Sequence, residues 1–273
     1  FVLRMNGRLA PWDAEALVHA ECRIDTAVPI CYDRITVTFG AMAAERAPSV
    51  VRALALPEVP LVVESGAGAP AILIDALAPL ADRLIVDSAV LSPARIETLV
   101  RKTRGAVGDR AFVRSFSWRE LVARFFDAVP EALCSIRRVS ISRTPPDKQE
   151  PAALYIGWLC SRLGWILHSR GQAQDRSGRP IEIAIVDDAR QDIEAGVLSA
   201  LKIEAELSGA PVVMECARTD APGMVRWSIS GARTALHEHR LGYRDETWVL
   251  MKAIDATESD GIYRQAVLAA TEW

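Results

Sequence analysis

Apolar residues in the first half of the chain follow strand-like and helix-like spacing in turn. Strict alternation at Ile35, Val37 and Phe39, and short apolar runs elsewhere, predict strands over residues 1–5, 31–39, 59–63 and 83–87. Apolar residues three and four apart predict helices over residues 11–20, 41–55, 71–81 and 92–102. This alternation favours parallel strands joined by crossover helices.

Two details of this half support the predicted parallel sheet and its helices. The continuous apolar runs at residues 59–63 and 83–87 are typical of strands buried in a parallel sheet. Ser92 and Pro93 suit the N-cap and the first position of the helix that follows the second run.

The second half has a different pattern. Residues 118–126 have the spacing of an amphipathic helix, residues 134–142 alternate like a strand, and residues 152–163 are almost all apolar, which predicts a buried helix. Four further strand-like runs are separated by turn residues and predict an antiparallel meander. These runs are residues 181–186, 198–205, 211–217 and 224–230.

Together the two patterns predict an α/β protein. The first half is expected to be a Rossmann-like α/β domain over residues 1–142. The second half, residues 143–273, is expected to be an α+β domain that contains the meander. The proposed linker is the polar stretch of residues 143–151, which holds Pro145, Pro146 and Pro151.

Composition narrows the class of protein. The chain has 273 residues and a formal net charge of −3, with no run of Lys or Arg, which argues against a nucleic-acid partner. No apolar stretch reaches the roughly 18 residues that cross a bilayer. The five cysteines lie far apart, as is typical of reduced thiols in a cytoplasmic protein. The chain begins at Phe1 without Met, and we expect further residues before it.

Three blocks in the middle of the chain resemble one known family. They are the segment from Leu80 to Ser88 (LADRLIVDS), the segment from Trp118 to Asp127 (WRELVARFFD), and the segment from Ala153 to Trp165 (ALYIGWLCSRLGW). In this order they are similar to the OpcA family of glucose-6-phosphate dehydrogenase assembly proteins. Weaker similarity extends over nearly the whole chain.

The resemblance implies a non-catalytic protein that binds glucose-6-phosphate dehydrogenase in bacteria. Its expected role is to promote assembly or the active conformation of that enzyme in the oxidative pentose phosphate pathway, without a cofactor. Members of the family usually carry two Trp residues after the 59–63 strand, where this chain has Glu64 and Ser65. Trp is common at interface hot spots. The absence of the Trp pair therefore leaves open whether this chain docks as the other members do or binds a different partner.

An alternative interpretation rests on residues 66–71. Gly66 and Gly68 fit the G-x-G-x-x-A form of a dinucleotide fingerprint, and Asp87 stands 21 residues after Gly66, where a ribose-binding acid would lie. Pro70 removes one amide from the first turn of the helix, and Glu64 would repel a phosphate. A tight strand-to-helix turn needs the same glycines without any ligand.

The helix at residues 118–127 is the candidate for partner binding. Arg114, Trp118, Arg119 and Arg124 are the residues proposed to contact a partner protein. The competing interpretation is a helix that packs on its own core.

No metal site is expected. His237 and His239 alternate on a proposed strand, but two ligands do not make a zinc site. No nucleophile motif is present, so no catalytic residue is assigned.

Overall fold

The computed structural model describes most of the chain. The described residues are 2–5, 9–23, 30–56, 58–65, 69–145, 151–169, 171–190, 192–193, 197–242, 245–255 and 260–273. The chain divides into two compact units, one of Phe1–Leu84 with Arg101–Ala106 and one of Ile85–Val100 with Val107–Trp273. Within the described residues the strands form three sheets, which contain both parallel and antiparallel pairs. The α/β class is confirmed.

The first sheet of the first unit is built on a long hairpin. Strands β1 (Val2–Met5), β2 (Ala14–Arg23) and β3 (Ile30–Phe39) lie in the order β1-β3-β2, with β1 parallel and β2 antiparallel to β3. The helix predicted at residues 11–20 is therefore wrong. Ten-residue pairing with β3 decides the conformation of β2, and tertiary pairing of this kind overrides local helix propensity.

The next elements alternate as the sequence predicts. A 3₁₀ turn at Ala43–Arg46 leads into α1 (Ala47–Leu54). Then come β4 (Val62–Glu64), α2 (Ala71–Leu77), β5 (Arg83–Val86), α3 (Pro93–Lys102) and β6 (Ala106–Asp109). The three strands form a second sheet in the order β4-β5-β6. The backbone N–H of Arg95 donates to Ser92 Oγ (3.3 Å), which confirms the N-cap of α3.

The two apolar runs of this region behave differently. All four residues of the central strand β5 are buried, as predicted. The run at residues 59–63 is not a buried strand, because Val59 and Val62 are 57% and 39% exposed. The physical reason is position: β4 is short and lies at the edge of its sheet, so its side chains have few neighbours to bury them.

The remaining elements belong to the second unit. Its helices are α4 (Arg110–Arg114), α5 (Phe116–Ala128), α6 (Pro151–Leu163), α7 (Glu246–Asp255) and α8 (Asp260–Ala270). Its strands are β7 (Ile136–Arg143), β8 (Ile166–Ser169), β9 (Gln172–Gln174), β10 (Pro180–Asp187), β11 (Leu198–Leu207), β12 (Ala210–Arg218), β13 (Met224–Gly231) and β14 (Ala235–Arg240).

These strands form one large mixed sheet with the order β14-β13-β12-β11-β7-β10-β9-β8. Strands β11 to β14 are successive antiparallel neighbours, which confirms the meander for the last three predicted runs. The first run, β10, lies outside the meander because it pairs in parallel with β7. The inward face of the sheet packs on α5 and α6. There Phe125 stacks on Trp227 at 4.8 Å between ring centroids, and Trp227 Nε1 donates to the carbonyl of Leu121 (3.0 Å).

The domain boundary between residues 142 and 143 stays a prediction. Strand β7 ends at Arg143 and pairs with β10 and β11 within the second unit. Of the proposed linker, residues 146–150 lie outside the described residues.

Candidate functional site

A buried carboxylate organises the start of α4. Asp109 ends β6 and is 2% exposed. Its Oδ1 accepts from the backbone N–H of Phe112 (3.1 Å), which caps α4, and from the backbone N–H of Ser88 (3.3 Å). Its Oδ2 accepts from the hydroxyl of Tyr263 on α8 (2.9 Å). One side chain therefore joins β6, α4, α8 and the loop after β5.

Burial governs the protonation of Asp109 and Tyr263. Burial raises the pKa of Asp109, and its hydrogen bonds from Phe112, Tyr263 and Ser88 only partly offset that rise. Burial and the neighbouring carboxylate raise the pKa of Tyr263 well above its ordinary value. The phenol consequently stays protonated at neutral pH and acts as a donor.

A charged network lies beside this carboxylate. Arg114 Nη1 donates to Asp87 Oδ2 (2.9 Å), while its Nε and Nη2 donate to the two oxygens of Glu246 on α7 (3.1 and 2.8 Å). Arg110 also pairs with Glu246. Burial opposes the charge of Arg114, but its bonds to Glu246 and Asp87 outweigh that effect and raise its pKa. The hydrogen bond from Arg114 in turn lowers the pKa of Glu246. The network ties α4 to α7 and to the end of β5.

Arg119 is held by aromatic rings. Its guanidinium carbon lies 3.6 Å from the centroid of the Phe112 ring, and its Nη2 donates to the carbonyl of Phe112 (2.9 Å). Burial lowers the pKa of Arg119 to about 10, so the side chain remains charged at neutral pH. Within the described part of the chain, Arg119 Nε and the buried hydroxyl of Tyr155 have no hydrogen-bond partner.

The structure separates the four residues proposed for partner binding. Arg114 belongs to the charged network, and Arg119 is stacked on Phe112. Trp118 is 4% exposed and packs in the core, which favours the packing interpretation for this side chain. Arg124 is exposed and pairs with Glu120 one turn earlier on α5 (2.9 Å). A role for any of them in partner binding stays a prediction.

Of the three residues of the dinucleotide alternative, the structure describes only Asp87. Gly66 and Gly68 lie outside the described residues. The carboxylate of Asp87 is engaged by Arg114 and by the backbone N–H of Ala89 (3.1 Å). Of the two residues that replace the Trp pair, Glu64 is exposed at the end of β4 and Ser65 is buried.

Sequence reasoning missed three residues of this site. Asp109 had a local signal, since an Asp that directly precedes a helix is a common N-cap. Neither Glu246 nor Tyr263 had a local sequence signal, because their hydrogen-bond partners lie 132 and 154 positions away in the sequence.

Among the described residues, no group of three or more His, Cys, Asp or Glu side chains could hold a metal ion. His237 and His239 lie on β14 with ring centroids 6.3 Å apart, and His237 packs against Trp227. No helix among these residues has the length and apolar character needed to span a membrane.

Two family profiles match consecutive parts of the chain. One is described as the glucose-6-phosphate dehydrogenase subunit N-terminal domain and matches residues 8–104, and the other, described as the C-terminal domain of that subunit, matches residues 105–267. The chain belongs to the OpcA family. The resemblance first seen in three sequence blocks is thereby confirmed.

Two relatives that carry the OpcA name come from cyanobacteria. A protein of Synechocystis that carries the name OxPP cycle protein OpcA is 33% identical over 146 residues, which are 50% of this chain and 30% of the relative. A protein of the same name from Nostoc punctiforme is 28% identical over 214 residues, 72% of this chain and 42% of the relative. The chain thus spans less than half the length of these relatives.

Among solved structures, an oxidoreductase from Sinorhizobium meliloti is similar to 86% of this chain over 81% of its own length. The two are 10% identical, and the TM-score is 0.49.

Proposed function

We propose that this protein is a non-catalytic partner of glucose-6-phosphate dehydrogenase in the oxidative pentose phosphate pathway. The observation that carries the proposal is the pair of family profiles, which together cover residues 8–267 and are both described as domains of a glucose-6-phosphate dehydrogenase subunit. The names of the cyanobacterial relatives, which refer to the OxPP cycle, point the same way.

The chemistry of the charged cluster supports a structural role for its residues. The oxygens of Asp109 accept three hydrogen bonds from the protein itself, and Arg114 pairs with both Asp87 and Glu246. A general acid or base must have an oxygen or nitrogen within reach of a substrate proton. These carboxylates instead hold helices in place, which suits a scaffold that recognises another protein.

The proposed action is allosteric activation together with assembly. A partner shifts an enzyme toward its active state only by binding that state more tightly than the inactive one. A tenfold fall in the apparent KM for the sugar phosphate would require about 1.4 kcal/mol of difference between the two binding free energies.

The experiment combines size-exclusion chromatography with a kinetic titration. The purified protein is added at micromolar concentrations to glucose-6-phosphate dehydrogenase from the same organism. We expect co-elution and a saturable change in KM or kcat. The same dehydrogenase with an unrelated protein of similar size is the control. Separate elution together with unchanged kinetics would contradict the proposal.

A further inference from the structure

The outward face of the large sheet has an ordered distribution of charge. Across this sheet, one row of residues points into the core and is at most 4% exposed; it comprises Ile183, Val139, Ile203, Met214 and Ile229. The residues that alternate with them face the other way, and none of them is buried apart from Leu198 and Ile136, which lie beyond the register shifts between β11 and β7. The sheet therefore has a packed face and, among the described residues, an open face.

Eight of the charged residues on the open face lie in one diagonal row, and Glu206, which pairs with Arg137, lies outside it. Cross-strand register sets the order in which the row runs from β10 to β14. Among the described residues its members are, in order, Glu182, Arg138, Glu204, Lys202, Glu215, Arg226, Glu238 and Arg240. The signs alternate along the row, and the four acids and four bases cancel.

Neighbours in the row already pair within the chain. Arg138 Nη2 lies 2.5 Å from Glu182 Oε2, and Lys202 Nζ lies 2.7 Å from Glu204 Oε1. Their side chains remain 35% to 49% exposed, so they keep the capacity to meet further charges. Surface pairs of this kind contribute little to folding. A contribution to folding therefore does not explain the row. A charged surface that packs against the row explains it better.

The alternation has a specific geometric property. When the row is reversed end to end, each acid comes opposite a base: Glu182 opposite Arg240, Arg138 opposite Glu238, Glu204 opposite Arg226, and Lys202 opposite Glu215. A two-fold axis that lies in the contact plane and crosses the row at its middle produces this reversal between two copies of one chain. The row is therefore complementary in charge to itself.

Beside the row lies an uncharged part of the same face. It consists of small side chains on β7, β10, β11 and β12 that allow close approach of a second sheet: Ser140, Ser142, Ala184, Ala200 and Ala217. Six strands at a spacing of about 4.8 Å and four residue rows give a face of roughly 24 by 20 Å, or on the order of 1,000 Å² over two copies. That area reaches the lower limit for a specific protein interface.

From this charge order we propose that the open face of the β7–β14 sheet is an interface with a second copy of the same chain. Two sheets pack face to face across a two-fold axis near Lys202 and Glu215. Because the row runs diagonally, roughly 24 Å across the strands and roughly 20 Å along them, this axis makes the strands of the two copies cross at nearly right angles, as in orthogonal sheet packing. Each interface then contains the Lys202–Glu215 contact twice.

The test uses two single charge reversals and their mixture. Lys202→Glu alone and Glu215→Lys alone each set two pairs of like charges against each other in a dimer of identical chains. We expect each variant to dissociate at least about tenfold more readily than the wild type, measured by sedimentation velocity over a concentration series.

Mixing the two variants distinguishes a charge contact between two chains from a loss of folding within one chain. In a mixed dimer every reversed charge of one variant meets an opposite charge of the other, so dimers should return only in the mixture. Changes within a single chain cannot produce this result. Thermal unfolding of each variant checks that the fold is retained, and Thr98→Glu on the exposed surface of α3 is the control that should leave dimerisation unchanged.

Two outcomes would overturn the proposal. One is a wild-type chain that remains monomeric at high micromolar concentration. The other is a wild-type dimer whose dissociation is unaffected by both reversals.

Discussion

At the scale of single residues, Asp109 connects three parts of the structure that lie far apart in the sequence. It caps α4, fixes the loop at Ser88 and anchors Tyr263 on α8. A buried carboxylate is costly unless its oxygens are hydrogen-bonded, and here both are. Asp109 therefore fixes the position of α4, the helix that carries Arg110 and Arg114.

The raised pKa of Asp109 predicts a pH dependence of stability. In the folded state the pKa lies above its unfolded value of about 3.9, so the folded protein binds this proton more tightly. The contribution of Asp109 to the free energy of unfolding is then fully present below about pH 4 and falls as pH rises toward the folded pKa. Relative to Asp109→Asn, wild-type stability should decline as pH rises above about 4 in urea denaturation.

Tyr263→Phe provides the matched control for this experiment. It keeps the carboxylate but removes one hydrogen bond that lowers the pKa of Asp109. The decline should therefore extend to higher pH in this variant. A wild-type stability that instead rises with pH relative to Asp109→Asn would contradict the raised pKa and show that the surroundings stabilise the ionised carboxylate.

At the scale of elements, α6 and α8 approach closely at Gly157. A Cβ at this position would overlap with the backbone of α8 at Ala266 and Ala270. Gly157 thus marks a close helix contact in the core, where the absence of a Cβ lets the two helices approach.

This contact predicts the effect of adding one methyl group. Gly157→Ala should lower the free energy of unfolding by about 1–3 kcal/mol, because backbone atoms cannot move aside as a flexible side chain can. Gly261→Ala is the control: it lies in α8, has nothing within contact distance, and should be neutral or stabilising by up to about 1 kcal/mol. Chemical denaturation of both variants checks the difference, and equal effects would contradict the close approach.

The Arg114–Glu246 pair predicts how strongly α4 and α7 are coupled. Both side chains are more than one-third exposed, so solvent screens the pair even though its geometry is bidentate. A double-mutant cycle with Arg114→Ala and Glu246→Ala should give a coupling energy of about 0.5–1 kcal/mol that decreases with added salt. The same cycle on Arg124 and Glu120 within α5 should give about 0.3–0.5 kcal/mol. A smaller value for the α4–α7 pair would show that it does not hold these helices together.

At the scale of the whole molecule, elements with regular periodicity could be predicted and those set by distant pairing could not. The apolar spacing of α5 and the alternation of β11 to β13 are properties of the local sequence, and both were predicted correctly. Residues of β2 are compatible with a helix, and only pairing with β3 makes them a strand. The charged network was not predictable for the same reason, because Glu246 reaches Arg114 from a separate part of the chain.

The burial of cysteines in the second unit has a practical consequence for labelling. A thiol reacts through its thiolate, and burial raises the pKa of Cys160 to about 12 and also raises that of Cys216. Cys134 is exposed, in the 3₁₀ turn between α5 and β7. Of the three thiols whose side chains the structure describes, Cys134 alone is accessible to a maleimide dye at neutral pH, so it offers an attachment point for a fluorophore that leaves the interior untouched.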